Sequence, residues 1–294
     1  MITVKLRGGL GNQLFGYFAG RFLADELATN LELDLSEIFT NKTLRKPDIL
    51  YLNLPSYTCS VNEISRHSLA KRLNRKLSTK CQLFGDLYYK ATKEYVSKDL
   101  GFISDLLRIE DNSTLDGYFQ TWKYFDNYSA VLPEINLSSE PSARFQSLLS
   151  RIEDSRPVMM HVRKTDYTLH KDSFGLLSSA YYIQALKKLH FDSSEDNLWV
   201  FSDDIEEAKR QLKSKLPQKT LWIHQNSTEN AAETLVLMSR ASGFIIANST
   251  FSWWAASLSK SGPKVIAPWP WFRNLPAPRE ILHPDWEKVN SHWE

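Results

Sequence analysis

Apolar positions along the chain switch repeatedly between a period of two and a period near 3.6, and that rhythm predicts the elements. Ile2-Thr3-Val4-Lys5-Leu6 alternates as a strand, Leu14, Phe18, Phe22 and Leu23 recur at helical spacing, and Leu31-Glu32-Leu33-Asp34-Leu35 alternates again. Between the first two lies the loop Arg7-Gly8-Gly9-Leu10-Gly11-Asn12-Gln13. The second half is more regular. Apolar strands are predicted at 157–162, 198–202, 220–224, 244–247 and, last, 264–267; amphipathic helices are predicted at 178–190, 205–216, 229–241 and 251–259. Short apolar strands alternating with helices predict an α/β fold with parallel sheets covered on both faces. Three prolines and several serines across 133–157 place a domain boundary near 150, dividing the chain into 1–150 and 151–294. Residues 64–80 predict an amphipathic helix with Leu69, Leu73 and Leu77 on one stripe and Lys71, Arg72, Arg75, Lys76 and Lys80 around it. It reads as a solvated face, with contact to anionic lipid as the alternative.

Composition narrows the classes. The 294 residues are enough for about two domains, and 42% hydrophobic with 24% charged residues is the balance of a soluble globular protein. The net charge of +2 excludes a general nucleic-acid coat, which needs a dominant basic field. Two cysteines, Cys59 and Cys81, exclude a disulfide framework and a cysteine zinc site. No apolar run reaches the ~18 residues of a membrane span, and the opening residues lack the apolar stretch of a signal peptide, so a cytoplasmic location is expected.

In a parallel sheet, ligands bind outside the carboxyl ends of the strands. That rule selects His161–Asp166, Ser202-Asp203-Asp204, His224-Gln225-Asn226, Asn248-Ser249-Thr250 and Pro268–Trp271, all of which follow predicted strands. Arg163, with Lys164 beside it, suits a phosphate, because a guanidinium offers two charge-assisted bonds. Ser249 and Thr250 open a helix, where hydroxyls cap the first turn or leave its N–H groups to an anion. Asp203 and Asp204 read as helix caps, nucleotide contacts or ligands of a divalent metal. Seven of the nine tryptophans lie beyond position 220, and Trp253 and Trp254 read as core packing. In the first half, the glycine loop and Asp34 suggest a dinucleotide site, but the third glycine is due at position 14, which is Leu14. Asn12 and Gln13 instead put amides at the helix start, suited to sugar hydroxyls or a phosphate. The residues alone therefore reach an α/β enzyme that binds a phosphorylated ligand.

Five segments, in order, resemble glycosyltransferase family 11, the α-1,2-fucosyltransferases. They are Gly8–Phe15; Gly117-Tyr118-Phe119-Gln120 with Tyr124-Phe125; His161–Asp166; Phe201–Asp204; and Ile246–Ala255 with Asn248-Ser249-Thr250-Phe251-Ser252-Trp253-Trp254. The resemblance spans nearly the whole chain. It implies two Rossmann-like domains facing a cleft (GT-B-like), with 1–150 on the acceptor side and 151–294 holding GDP-fucose. The implied activity is inverting transfer of L-fucose to the 2-hydroxyl of a galactose in a glycan acceptor, with no metal or other cofactor and no nucleic-acid partner. It implies donor contacts from Arg163, Lys164, Asp203, Asn248, Ser249, Thr250, Phe251, Ser252, Gly9 and Asn12. Acceptor contacts come from Asn12 and Gln13. Arg163, His161 and Asp166 form the catalytic group, with Asp166 as general base or as the residue that positions Arg163. The absence of an anchor, set beside the anchored animal relatives, implies a bacterial-type cytoplasmic enzyme, with peripheral contact at the inner membrane face through 64–80. One departure stands out: where the family motif commonly has a second arginine and a glycine, this chain has Lys164 and Thr165. Lysine keeps the charge and loses the bidentate fork. The rival reading is a nucleotide-dependent oxidoreductase using the glycine loop and Asp34.

Overall fold

The computed structural model describes residues 1–40, 46–61, 82–97, 99–128, 131–225, 230–260 and 262–294, with the side chains of Thr40, Gln82, Leu83, Pro133 and Asp166 outside the description. The basic stretch 64–80 and Cys81 therefore lie outside the described residues. The chain forms two compact units. The first comprises Met1–Ile49, Leu54–Tyr128 and Pro278–Ile281; the second comprises Leu50–Asn53, Ser129–Ala277 and Leu282–Glu294. No described helix is long and apolar enough to cross a membrane.

The division falls at Tyr128/Ser129 and not near 150. The helix Ala143–Ser155 runs through the expected boundary and buries Phe145, Leu148 and Ile152. Its proline and serine content marks a cap, not a linker: the Ser142 hydroxyl accepts from the Phe145 N–H at 3.2 Å. Ser142 is itself held by Glu233, which accepts from its N–H at 2.7 Å and its hydroxyl at 2.8 Å.

The first unit holds a five-stranded sheet of order β3-β2-β1-β5-β4, parallel at every pairing. Its strands are β1 (Ile2–Lys5), β2 (Leu31–Asp34), β3 (Thr58–Ser60), β4 (Glu94–Val96) and β5 (Ser113–Asp116). The helix Leu10–Glu26 packs on β1. Gly16 and Gly20 make that approach close. A Cβ at Gly20 would stand 2.3 Å from Val4 Cγ2, and one at Gly16 would stand 2.8 Å from Leu6 Cδ2. β3 and β4 are three-residue strands that bury no residue fully, so the sequence carried no period to find them by.

The second unit holds a six-stranded sheet of order β11-β10-β9-β6-β7-β8, again parallel throughout. Its strands are β6 (Val158–Val162), β7 (Leu198–Ser202), β8 (Leu221–His224), β9 (Gly243–Ile245), β10 (Lys264–Trp269) and β11 (Glu287–Asn290). β6 and β7 are buried at every position, as strands covered on both faces must be. The expected last strand, 264–267, is not the last: β11 follows and pairs from Ile266↔Glu287 to Trp269↔Asn290. As an edge strand it buries only Val289, so its sequence reads polar. The core includes Met160, Val162, Tyr181, Val200, Ile245 and Ile266. Trp253 and Trp254 are fully buried against each other, the packing role expected of them.

Candidate active site

Numbered within its own unit, the second sheet reads 3-2-1-4-5-6, the order of dinucleotide-binding sheets, with its reversal between β6 and β9. A crevice for a ligand is expected outside the carboxyl ends of those two strands, where successive connections leave to opposite faces. The loop after β6 carries Arg163 and Lys164; the segment after β9 carries Asn248, Ser249 and Thr250. The two are joined at the switch point, because the Tyr167 hydroxyl donates to the Asn248 carbonyl at 2.7 Å. The Asn248 amide in turn donates to the Phe174 carbonyl at 3.0 Å.

Asp203, at the end of the neighbouring β7, organises the β6 loop. One carboxylate oxygen accepts the Lys164 N–H at 2.8 Å; the other accepts the Thr165 N–H at 3.2 Å and the Thr165 hydroxyl, and lies 3.2 Å from Arg163 Nη1. Burial alone would raise its pKa, but the Arg163 guanidinium, the Thr165 hydroxyl and the Lys164 N–H together hold it below the usual carboxylate value. Both partners are little exposed, Arg163 by 11% and Asp203 by 9%, so the pair acts at short range with little solvent screening. Arg163 also lies over the Tyr167 ring, 5.7 Å from its centroid. Asp203 thus holds the loop by four contacts to residues 163–165. Asp204 caps the helix Ile205–Leu212, accepting the Glu207 N–H at 3.0 Å. Of the three readings of this carboxylate pair, capping is the one seen for Asp204.

The structure gives several of the expected positions partners of their own. Lys164 is buried, and its ammonium lies 2.5 Å from the Glu294 carboxylate. Ser252 is fully buried, with its hydroxyl turned back to the Ser249 carbonyl at 3.3 Å. Phe251 packs its ring against His161, 6.2 Å between centroids. Ser249 caps the helix Thr250–Ser257 through a 3.4 Å bond from the Phe251 N–H. Thr250 is the most exposed residue of 248–252. His161 is fully buried in β6, and burial holds its pKa well below the usual histidine value; nearby Asp203 opposes that and Arg163 reinforces it. Its imidazole is therefore neutral near neutral pH and sits beneath the loop. The side chain of Asp166 lies outside the described residues.

The first sheet reverses between β1 and β5, and the glycine loop and Gly117–Gln120 leave those strands. Gly8 has φ +70°, a left-handed value that glycine adopts freely, and Gly9 precedes the helix Leu10–Glu26. Asn12 Oδ1 accepts from Gln120 Nε2 at 3.0 Å, so two of the resemblance segments meet here. Gln13, expected as an acceptor contact, has three partners near its own helix start. Fully buried, it donates to the carbonyls of Gly8 (3.0 Å) and Lys46 (2.8 Å) and accepts the Ile49 N–H at 3.2 Å. Asp34 Oδ1 accepts the N–H and the hydroxyl of Ser36, a local role at the start of the helix Ser36–Thr40.

Sequence reading missed Tyr167, Glu294 and the group around Arg7. Arg7 bonds Asp116, lies 3.2 Å from Glu37 and stacks over Tyr118. Its place in the glycine loop was the available signal.

Comparison with known proteins decides the family. The sequence profile of glycosyl transferase family 11 matches residues 63–290, more than three-quarters of the chain. The chain belongs to glycosyl transferase family 11. It is similar to an alpha-1,2-colitosyltransferase of Escherichia coli, 30% identical over 92% of each chain. It is 29% identical to the O-antigen biosynthesis glycosyltransferase WbnK of Escherichia coli, over 91% of this chain and 93% of that one. The fold of this family 11 member is similar to that of the fucosyltransferase NodZ from Bradyrhizobium, with a TM-score of 0.53 at 15% identity, covering 88% of this chain and 92% of that one. The E. coli ADP-heptose lipopolysaccharide heptosyltransferase II is similar at a TM-score of 0.50 and 10% identity, covering 98% and 89%. The fold class is thus the GT-B type, two units each built on a parallel sheet.

Proposed function

We propose that this glycosyltransferase moves L-fucose from GDP-fucose to the 2-hydroxyl of a terminal galactose, with inversion. One observation carries the reading: a guanidinium and a helix N-terminus flank the switch point of a sheet with dinucleotide-binding order. In this reading the second unit takes the nucleotide, and Gly9 and Asn12 of the first contribute toward donor and acceptor.

The reaction is a single in-line displacement through an oxocarbenium-like state. The acceptor O2 bonds to the anomeric carbon as the bond from that carbon to the phosphate oxygen breaks; GDP leaves and the hydroxyl proton passes to a base. Arg163, held by Asp203 and Tyr167, stabilises the diphosphate charge as it develops, together with the N–H groups and dipole at Thr250. This supply of positive charge makes metal-independent transfer part of the proposal: turnover is expected to survive EDTA, and loss in EDTA restored by Mn²⁺ would reject it. Asp166 is the proposed base. Asp166→Asn is expected to abolish turnover while GDP affinity is kept; if both fall together, Asp166 positions Arg163 instead. We place the enzyme in the cytoplasm, with residues 64–80 toward anionic lipid, to be checked by sedimentation with phosphatidylglycerol vesicles.

A second donor is favoured by one finding, the 30% identity to a transferase of colitose, which lacks the 3-hydroxyl of fucose. Competition between GDP-fucose and GDP-colitose on a panel of β-galactosides, with linkages read by NMR, distinguishes them. A higher kcat/KM for GDP-colitose, or a product linked elsewhere than O2, overturns the first reading.

A further inference from the structure

Three tyrosines, three aspartates and an arginine line a cavity of about 150 Å³ in the first unit that no step of the proposed transfer uses. It is bounded by the helix Gln82–Thr92, the edge strand β4 and the segment leading to β5. A cavity of this volume admits a six-membered ring.

Two of the tyrosines are fixed in place. Tyr88 donates to Glu94 at 2.6 Å; the Tyr89 oxygen lies 2.9 Å from Ser113 Oγ and accepts the Glu110 N–H at 2.8 Å. Tyr95 is different: among the described residues no hydrogen bond to its hydroxyl is formed. Burial, and then the Asp105, Asp99 and Asp86 carboxylates, push its pKa up to about 12, so it stays a neutral donor and acceptor. Asp99 is exposed and lies 3.9 Å from Arg279, and Asp105 lies 3.5 Å from Arg108. Rigid aromatic faces beside carboxylates and a free hydroxyl suit a sugar, which presents C–H faces and vicinal hydroxyls. The lining itself carries three carboxylates and one guanidinium, a balance that disfavours a phosphate, so the nucleotide donor is not the proposed ligand. Among the described residues no three acidic, His or Cys side chains converge as a metal site requires.

We propose that this cavity binds one neutral pyranose ring, a sugar of the acceptor glycan other than the one that is fucosylated. Its attribution to the acceptor rests on the transferase reading above; the binding itself does not. Because β4 is parallel to β1 and β5, Val96 ends at the sheet edge that carries Gly9 and Gly117.

The test is saturation-transfer NMR of the intact chain with methyl glycosides of galactose, glucose, N-acetylglucosamine and fucose, with GDP present and no donor. At least one glycoside is expected to bind, about fivefold weaker in Tyr95→Phe and about tenfold weaker in Asp99→Asn, and unchanged in Arg163→Ala. Binding of none, equal binding in both cavity variants, or binding of tetramethylammonium alone overturns the proposal. With GDP-fucose, the same variants are expected to raise KM about fivefold for an extended acceptor and leave the KM of a disaccharide and both kcat values unchanged. Equal KM values for the two acceptors would detach the cavity from the acceptor. Absence of any turnover would instead reject the transferase reading and leave the binding result standing.

Discussion

Asp203→Asn is the sharpest probe of the site, because it preserves shape and removes one charge. The Lys164 N–H bond at 2.8 Å survives on the remaining carbonyl oxygen. The other oxygen becomes an NH₂ group facing three donors: the Thr165 N–H at 3.2 Å, the Thr165 hydroxyl and Arg163 Nη1 at 3.2 Å. With Asp203 9% exposed and Arg163 11% exposed, solvent compensates little of this. Breaking such a buried pair costs about 3–5 kcal/mol. In a unit of this size that is about a 10 °C fall in the unfolding midpoint. Arg163 loses its anchor as well, so GDP affinity is expected to fall about tenfold or more by calorimetry. The Arg163→Ala, Asp203→Asn double-mutant cycle should show coupling above ~1 kcal/mol. A midpoint shift under ~2 °C, or strictly additive effects in the cycle, would refute the claim that Asp203 holds the loop.

Three further outcomes are expected. Lys164→Met should lower stability by about 1–2 kcal/mol through loss of the Glu294 pair, yet change GDP affinity less than twofold; a tenfold loss of affinity would return Lys164 to the diphosphate. Gln13→Ala should cost about 1–3 kcal/mol in urea unfolding, because it leaves the buried Ile49 N–H without its partner and removes two bonds to the part-buried carbonyls of Gly8 and Lys46, with the acceptor KM unaltered in folded enzyme. Acid should destabilise the fold in two stages. The His161 pKa is depressed on folding, so the unfolded chain takes up its proton first and stability falls as pH drops below about 6.5. The Asp203 pKa is also depressed, so its contribution is complete above about 4 and is lost as pH falls through its folded value. Urea midpoints at pH 7, 5.5, 4 and 2.5 check this, and His161→Phe should flatten the upper stage; an unchanged slope in that variant would remove His161 as the cause.

Periodicity alone recovered β1, β2 and the strand–helix succession of the second unit, because buried parallel strands are continuous apolar runs and their helices show one apolar face. The rule that ligands gather at strand carboxyl ends then singled out Arg163, Asp203 and Asn248–Thr250 before any coordinates. Sequence could not say which polar atoms those residues leave available. That depends on partners distant in the chain: Glu294 for Lys164, Lys46 and Ile49 for Gln13, residues 163–165 for Asp203. A buried polar group takes whichever partner the fold brings within about 3 Å, and the fold alone decides which one that is. The edge strands β3, β4 and β11 escaped for a related reason: with little buried surface, they are strands only because a neighbour's backbone pairs with them. Element order and the chemistry available at the sheet edges were therefore properties of the sequence. The strand order that makes β6 and β9 neighbours, and the pairing that holds Arg163 in place there, were decided by tertiary structure, because both are contacts between segments far apart along the chain.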